Sequence, residues 1–131
     1  MTRLEQARAL RDRTDRHYNC CQSVLIPFCP ETGLEEEQAY SLGAHFGGGM
    51  HCGEACGALT GGLMVLGMLG YDKETSKAFT EAFRTAHGFL DCRDLLDAAK
   101  KQNIEKKVNC DGLVLAVVKE LETLLSSTLR P

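Results

Sequence analysis

The chain has 131 residues, of which 44% are hydrophobic and 25% are charged, and its formal net charge is −3. This length fits one domain, spanning residues 1–131, that can bury a hydrophobic core without disulfide bonds. The negative charge argues against a nucleic-acid-binding surface, which needs clustered positive charge. The most apolar run, residues 59–69, is too short to cross a bilayer, so we expect no membrane insertion. The charged N-terminal residues are unlike a secretory signal, and we expect a cytoplasmic protein.

The first third of the chain is predicted to form three helices. Apolar residues recur at helical spacing from Leu4 towards His17. Asn19 is expected to cap a second helix, which carries cysteines and is shaped at its end by prolines. A third helix is predicted over 35–46, because its first turn is acidic and the glycines at 47–49 follow it.

Helical spacing continues through the rest of the chain, with glycine, aspartate and asparagine at the expected boundaries. The pattern predicts a helix from about 53–56 to Leu69 with Gly70 as its stop, and one capped by Asp72 or Thr75 and closed by Gly88. It further predicts a short helix after Asp91 through Ala99 and a last helix capped by Asn109. The apolar run 113–118 would also suit a strand, but no second strand is available to pair with it. The sequence therefore predicts a single all-α bundle of about six helices.

The chain contains seven cysteines, far more than a soluble domain of this size normally carries. Thiols are kept reduced in the cytoplasm, so redox activity, metal binding or burial is favoured over structural disulfides. Cys21 and Cys29 are interpreted as small buried hydrophobes. The seven residues are Cys20, Cys21, Cys29, Cys52, Cys56, Cys92 and Cys110.

The glycine-rich segment 47–62 carries Cys52 and Cys56 just where a helix is expected to begin. Four residues apart on a helix, their Cβ atoms would be too distant for a relaxed disulfide, although they could share a metal. Cys56 is the better candidate redox thiolate, because unpaired N–H groups in a first helical turn lower a thiol pKa. Cys52 and His51 are weaker metal-ligand candidates, and an exposed loop histidine without such a role is the simpler interpretation of His51.

Gly57 and Gly61 lie one helical turn apart and would let another helix or a cofactor approach the same face. Close helix packing is the favoured interpretation of this pair. The same face is also a candidate contact for a homodimer.

Three further cysteines each follow a polar residue that is typical of a helix N-cap. The pairs are Asn19-Cys20, Asp91-Cys92 and Asn109-Cys110. If these helix starts meet near Cys56 at one end of the bundle, the four thiols could hold an iron–sulfur cluster or zinc, or form a pair of redox disulfides. The spacings match no compact C-x-x-C ligand run, so the sequence leaves these alternatives open.

With these residues the chain resembles the family of redox-active proteins named for a C_GCAxxG_C_C signature. The resemblance covers about residues 15–125. It is carried by Asn19-Cys20 with Gln22 and Val24-Leu25, by Gly47–Met50 leading into Cys56-Gly57-Ala58-Leu59-Thr60-Gly61, by Asp91–Leu96, and by Cys110 before an apolar helix. A similar domain occurs in split-Soret-type cytochromes, where the cysteines are associated with an iron–sulfur centre.

The resemblance implies that Cys20, Cys56, Cys92 and Cys110 form the functional set. No C-x-x-C-H sequence is present, so haem is not expected, and no phosphate loop or nucleotide fingerprint is present either. The leading hypothesis is a small redox protein that exchanges electrons with a partner protein, through an iron–sulfur cluster or through thiol–disulfide exchange. The alternative is a structural or zinc-stabilised helical module that binds a protein without redox activity. An enzyme with a small-molecule substrate is a weaker idea, because no acid–base pair accompanies Cys56.

Overall fold

The computed structural model describes residues 1–127, in which helices account for nearly all regular structure. Its eight α-helices are α1 (Arg3–Asp12), α2 (Cys20–Leu25), α3 (Cys29–Thr32), α4 (Glu36–Gly43), α5 (Gly57–Met68), α6 (Lys73–His87), α7 (Cys92–Lys101) and α8 (Lys106–Leu125). A short 3-10 turn, Ile26–Phe28, joins α2 to α3. The prediction of an all-α fold is confirmed. The prediction of about six helices is wrong by two, partly because Pro27 and Pro30 divide the expected second helix.

Several helices begin at the residues that the sequence indicated. The Asn19 side chain accepts a hydrogen bond of 2.8 Å from the Gln22 backbone N–H, and the Gln22 side chain accepts one of 2.8 Å from the Asn19 N–H. Asp72 caps α6 by accepting from the Thr75 N–H at 2.8 Å. These reciprocal and single caps satisfy backbone donors that a helix start leaves unpaired, and so fix where each helix begins.

Other boundaries differ from the predictions. Helix α1 ends at Asp12 and does not reach His17, because the residues after Leu10 have no apolar face to bury. Helix α4 ends at Gly43, three residues before the predicted end. Helix α8 begins one turn before the predicted start, with Glu105 in the extended N-cap conformation. Asn109 therefore lies inside α8, where its N–H donates to the Glu105 carbonyl at 3.0 Å.

Helix α2 is the centre of the bundle and packs against α1, α4, α5 and α8. Its apolar residues Val24 and Leu25 are fully buried, and Phe28 follows them into the same core. Leu66 of α5 and Val114 of α8 are fully buried in the same cluster. Because α2 is enclosed on several sides, its first residue, Cys20, is brought close to the other helix ends around it.

The glycines of α5 permit its close contact with α2. A Cβ atom at Gly61 would lie 2.8 Å from the Cys21 carbonyl oxygen, and one at Gly57 would lie 3.2 Å from the Cys21 amide nitrogen. The packing interpretation of this glycine pair is therefore correct. In this chain α2 itself lies against Gly57 and Gly61, and a homodimer stays a prediction.

Among residues 1–127, no helix combines the length and the apolar character needed to cross a bilayer.

Candidate functional site

Four cysteines from four different helices line one cavity of about 130 Å³. Cys20 is the first residue of α2, Cys56 is the N-cap of α5, and Cys92 is the first residue of α7. Cys110 lies in the second turn of α8, so the expectation that it also begins a helix is wrong. The structure thus brings together the four residues that the signature singled out, three of them at helix starts. We refer to this site as the four-cysteine cavity.

Backbone pairing holds Cys56 and Cys92 on the same side of the cavity. Ala55 and Asp91 form an isolated antiparallel bridge between the segments that precede α5 and α7. The Cys56 N–H donates to the Leu90 carbonyl at 2.8 Å, and the Cys92 N–H donates to the Glu54 carbonyl at 2.7 Å. Both cysteines are therefore positioned by main-chain hydrogen bonds, which do not depend on the identity of nearby side chains.

A left-handed turn lies beside this bridge. Gly48, Gly49, Met50 and His51 have φ values of 62°, 65°, 60° and 62°. Such values are uncommon for residues with a side chain and store strain at Met50 and His51. A Cβ atom at Gly49 would lie 2.9 Å from the Cys92 Cβ, so only glycine lets the turn approach the cysteine this closely.

The Cys20 and Cys110 thiols, which also line the cavity, influence each other's protonation. Their hydrogen bond raises the pKa of Cys20 and lowers that of Cys110 to about 6. Burial opposes the lowering at Cys110, whereas the charges of Arg11 and Lys106 add to it. The interaction therefore favours a thiolate at Cys110 and a protonated thiol at Cys20.

Cys56 does not have the low pKa that its place at a helix start predicts. Burial raises the pKa of its thiol to about 11, although the N–H groups of Ala58 and Leu59 favour the thiolate. Only 4% of the residue is exposed, and desolvation outweighs the helix N-terminus. Burial also raises the pKa of the half-buried Cys92. Of the four thiols at the cavity, Cys110 is the one whose pKa is lowered.

The remaining cysteines lie outside the four-cysteine cavity. The Cys21 sulfur is buried against the Met64 sulfur at 3.7 Å, and burial raises its pKa to about 11. Cys29 is half-buried, near Glu31 and Glu36. Cys52 is exposed, and its thiol donates to the Gly49 carbonyl at 3.5 Å.

His51 is also outside the cavity, as an exposed residue whose Nε2 lies 3.2 Å from the Nδ1 of His45. Within residues 1–127, no three His, Cys, Asp or Glu side chains are arranged to hold a single metal ion. A cluster spreads four thiolate ligands over more than one iron, and the four cysteines on the cavity lining supply that donor set.

The structure adds polar residues to the site that the sequence analysis did not identify. Arg11, Lys106 and Asn109 line the cavity beside the cysteines. The Asn109 Nδ2 atom is buried without a hydrogen-bond partner in the described structure. The sequence did hold a sign that Arg11 faces the interior. Arg11 follows Ala7, which is buried, by four residues, and this spacing places both on the inward face of α1.

Comparison with known proteins gives one match. A family model described as "Putative redox-active protein (C_GCAxxG_C_C)" matches residues 18–124, close to the range of 15–125 expected from the motifs. No curated protein and no solved structure matches the chain, so the similarity to split-Soret-type cytochromes stays a prediction. The central letters of the description are Gly-Cys-Ala, whereas this chain has Cys56-Gly57-Ala58. Gly57 is required here, because a Cβ atom would lie 2.7 Å from the Phe46 carbonyl oxygen.

Proposed function

The chain belongs to the C_GCAxxG_C_C family, and from this premise we propose that its four-cysteine cavity is a redox centre that carries electrons in a cysteine-ligated iron–sulfur cluster. The observation that carries the proposal is the convergence of four thiols on one cavity. Two cysteines are enough for thiol–disulfide exchange, whereas four are the full ligand set of a common cluster. The volume, about 130 Å³, is below the roughly 300–1,000 Å³ of pockets for organic ligands.

The residues of the cavity have separate tasks in this function. Cys20 and Cys110 present one pair of sulfurs, and Cys56 and Cys92 present the other. When bound, the cluster supplies a site that gains and loses one electron. The positive charges of Arg11 and Lys106 offset the negative charge that thiolate ligands bring into a partly buried site.

The half-buried state of Cys20 and Cys92 supports electron exchange with a partner protein at this end of the bundle. The other two cysteines, Cys56 and Cys110, are 4% and 9% exposed. A centre with two half-buried cysteines and two buried ones is more accessible at Cys20 and Cys92 than at Cys56 and Cys110. The partner protein is expected to approach from the side of Cys20 and Cys92.

A second candidate function is thiol–disulfide exchange, and the placing of Cys20 and Cys110 at one cavity with coupled protonation favours it. The Cys110 thiolate would attack a disulfide of a partner protein, forming a mixed disulfide and releasing one partner thiolate. Cys20 would then attack the Cys110 sulfur, giving a Cys20–Cys110 disulfide and releasing the second partner thiolate. The proton of Cys20 passes to a released thiolate, and two electrons move from the pair to the partner.

The deciding experiment is the iron and acid-labile sulfide content of protein purified without oxygen, together with its visible spectrum. We expect iron and sulfide in similar amounts and a broad visible absorbance. Replacement of Cys56 or Cys92 by serine should remove both, whereas Cys29→Ser and Cys52→Ser, outside the cavity, should retain them. Colourless, iron-free protein with a reversible Cys20–Cys110 disulfide would overturn the cluster and support the second candidate. If the protein contains no iron and forms no reversible disulfide, the structural module is the better description.

A further inference from the structure

Arg11 is a buried cation fixed in place at the edge of the four-cysteine cavity. Its side chain is 11% exposed, and it lines the cavity beside Cys20 and Cys110. The Nε atom donates to Asp111 Oδ1 at 2.7 Å, and Nη1 donates to the Tyr18 carbonyl at 2.9 Å. With two of its donors held by α8 and by the segment before α2, the guanidinium has little freedom to move away from the sulfurs.

The charge of Arg11 is only partly neutralised by Asp111. The same carboxylate also accepts from Lys107 at 2.6 Å and lies 3.7 Å from Arg8. Lys107 also contacts Asp12 at 3.1 Å, so three cations face two carboxylates and the local balance stays positive. Since guanidinium groups stay protonated in proteins, this positive charge is permanent.

We propose that Arg11 is an electrostatic positioning residue that raises the reduction potential of the four-cysteine centre, an inference that rests on the proposed redox function. Asp111 and the Tyr18 carbonyl hold the guanidinium where its charge acts on the sulfurs of Cys20 and Cys110. The role is the same for an iron–sulfur cluster and for a disulfide, because it depends only on the fixed charge and on where the two sulfurs lie.

The physical reason is the sign of the charge that reduction adds. A cluster gains one electron from an external donor, and a disulfide gains two electrons and becomes two thiolates before any proton arrives. In both cases the reduced form is more negative than the oxidised form. A fixed cation near the sulfurs therefore stabilises the reduced form, and salt screens this interaction weakly because the site is partly buried.

The test is a redox titration of the wild type and of Arg11→Gln, with a dithionite-reduced mediator series for the cluster form and glutathione redox buffers for the iron-free form. We expect Arg11→Gln to lower the equilibrium constant for reduction about tenfold or more. Arg11→Lys keeps the charge and should stay within about threefold of the wild type. Arg13→Gln is the matched control, since it removes an exposed arginine of the same region that does not line the cavity.

Folding of the variant is expected, because Asp111 keeps Lys107 as a partner when Arg11 is replaced. Circular dichroism checks this, and Arg11→Met, which keeps the aliphatic volume, replaces Arg11→Gln if that variant does not fold. An unchanged constant in Arg11→Gln, or an equal fall in Arg11→Gln and Arg11→Lys, overturns the inference. A wild type with no measurable redox couple overturns the proposed function itself, so the two failures are distinguished.

Discussion

The protonation of two thiols defines the chemistry of the site at the scale of single residues. Cys20 donates a hydrogen bond that lowers the pKa of Cys110, while its own pKa rises. Cys56 lies at a helix start, for which the sequence predicted a lowered thiol pKa, yet burial raises its pKa to about 11. A neighbouring thiol and two cations thus have more effect on a buried sulfur than a helix N-terminus does. Cys110, placed in the second turn of α8, becomes the most acidic of the four.

In reduced, iron-free protein we expect one thiolate to form as the pH rises through about 6, well below the ordinary thiol range near pH 9. The ultraviolet absorbance of the thiolate, followed against pH, measures it. Cys110→Ser should remove this step, and Cys20→Ala should move it to higher pH, because the donated hydrogen bond is lost. Cys29→Ala, outside the cavity, should leave it in place. Thiolate formation only above pH 8 in the wild type would contradict this assignment.

At the scale of the secondary-structure elements, two short contacts position the cysteines. The bridge between Ala55 and Asp91 brings the starts of α5 and α7 together. The glycine face of α5 lets this helix lie directly against the first turn of α2, next to Cys20. Glycine normally weakens a helix interior by about 0.5–1 kcal/mol relative to alanine, so its presence on this face indicates that close packing offsets that loss.

Two glycines of α5 allow this packing to be tested with a matched control. Gly61→Ala should lower the free energy of unfolding by about 1–3 kcal/mol, because the new methyl group would meet the Cys21 carbonyl at 2.8 Å. Gly67→Ala places a methyl group where no heavy atom lies within 4 Å and should raise it by about 0.4–1 kcal/mol. Urea unfolding of the iron-free reduced proteins measures both. Equal effects of the two substitutions would argue against the close contact.

At the scale of the whole molecule, the four-cysteine cavity joins parts of the chain that are distant in sequence. Helix α1 contributes Arg11, and α8 contributes Lys106 and Cys110, which lie more than 90 residues further along. The contact between Arg11 and Asp111 links the first helix to the last one. Assembly of the site therefore requires the complete bundle, and we expect no isolated segment to reproduce it.

Oxidation of iron-free protein should stabilise the fold. A Cys20–Cys110 disulfide would close a loop of about 90 residues and restrict the unfolded chain, which corresponds to about 2–4 kcal/mol. Urea unfolding with and without reductant measures the difference, which should appear as a higher midpoint for the oxidised protein. Cys20→Ser should show no such difference. Oxidised wild type that unfolds at the same urea concentration as the reduced protein would argue against this disulfide.

The sequence by itself determined the fold class, the family and most helix starts. Helical spacing and local caps such as Asn19 and Asp72 act within a few residues, so they can be read from the printed chain. The signature also singled out the four cysteines that line one cavity, although their spacing left a cluster, zinc and disulfides open.

Only the tertiary structure decided which groups surround those cysteines. The acidity of Cys110, the raised pKa of Cys56 and the place of Arg11 depend on burial and on contacts between residues up to about 100 positions apart. Because α8 begins at Lys106, one turn before the predicted start, Cys110 lies in its second turn and not at its N-terminus. Desolvation and Coulomb interactions act through space, and their balance at a thiol is set when distant helices pack together.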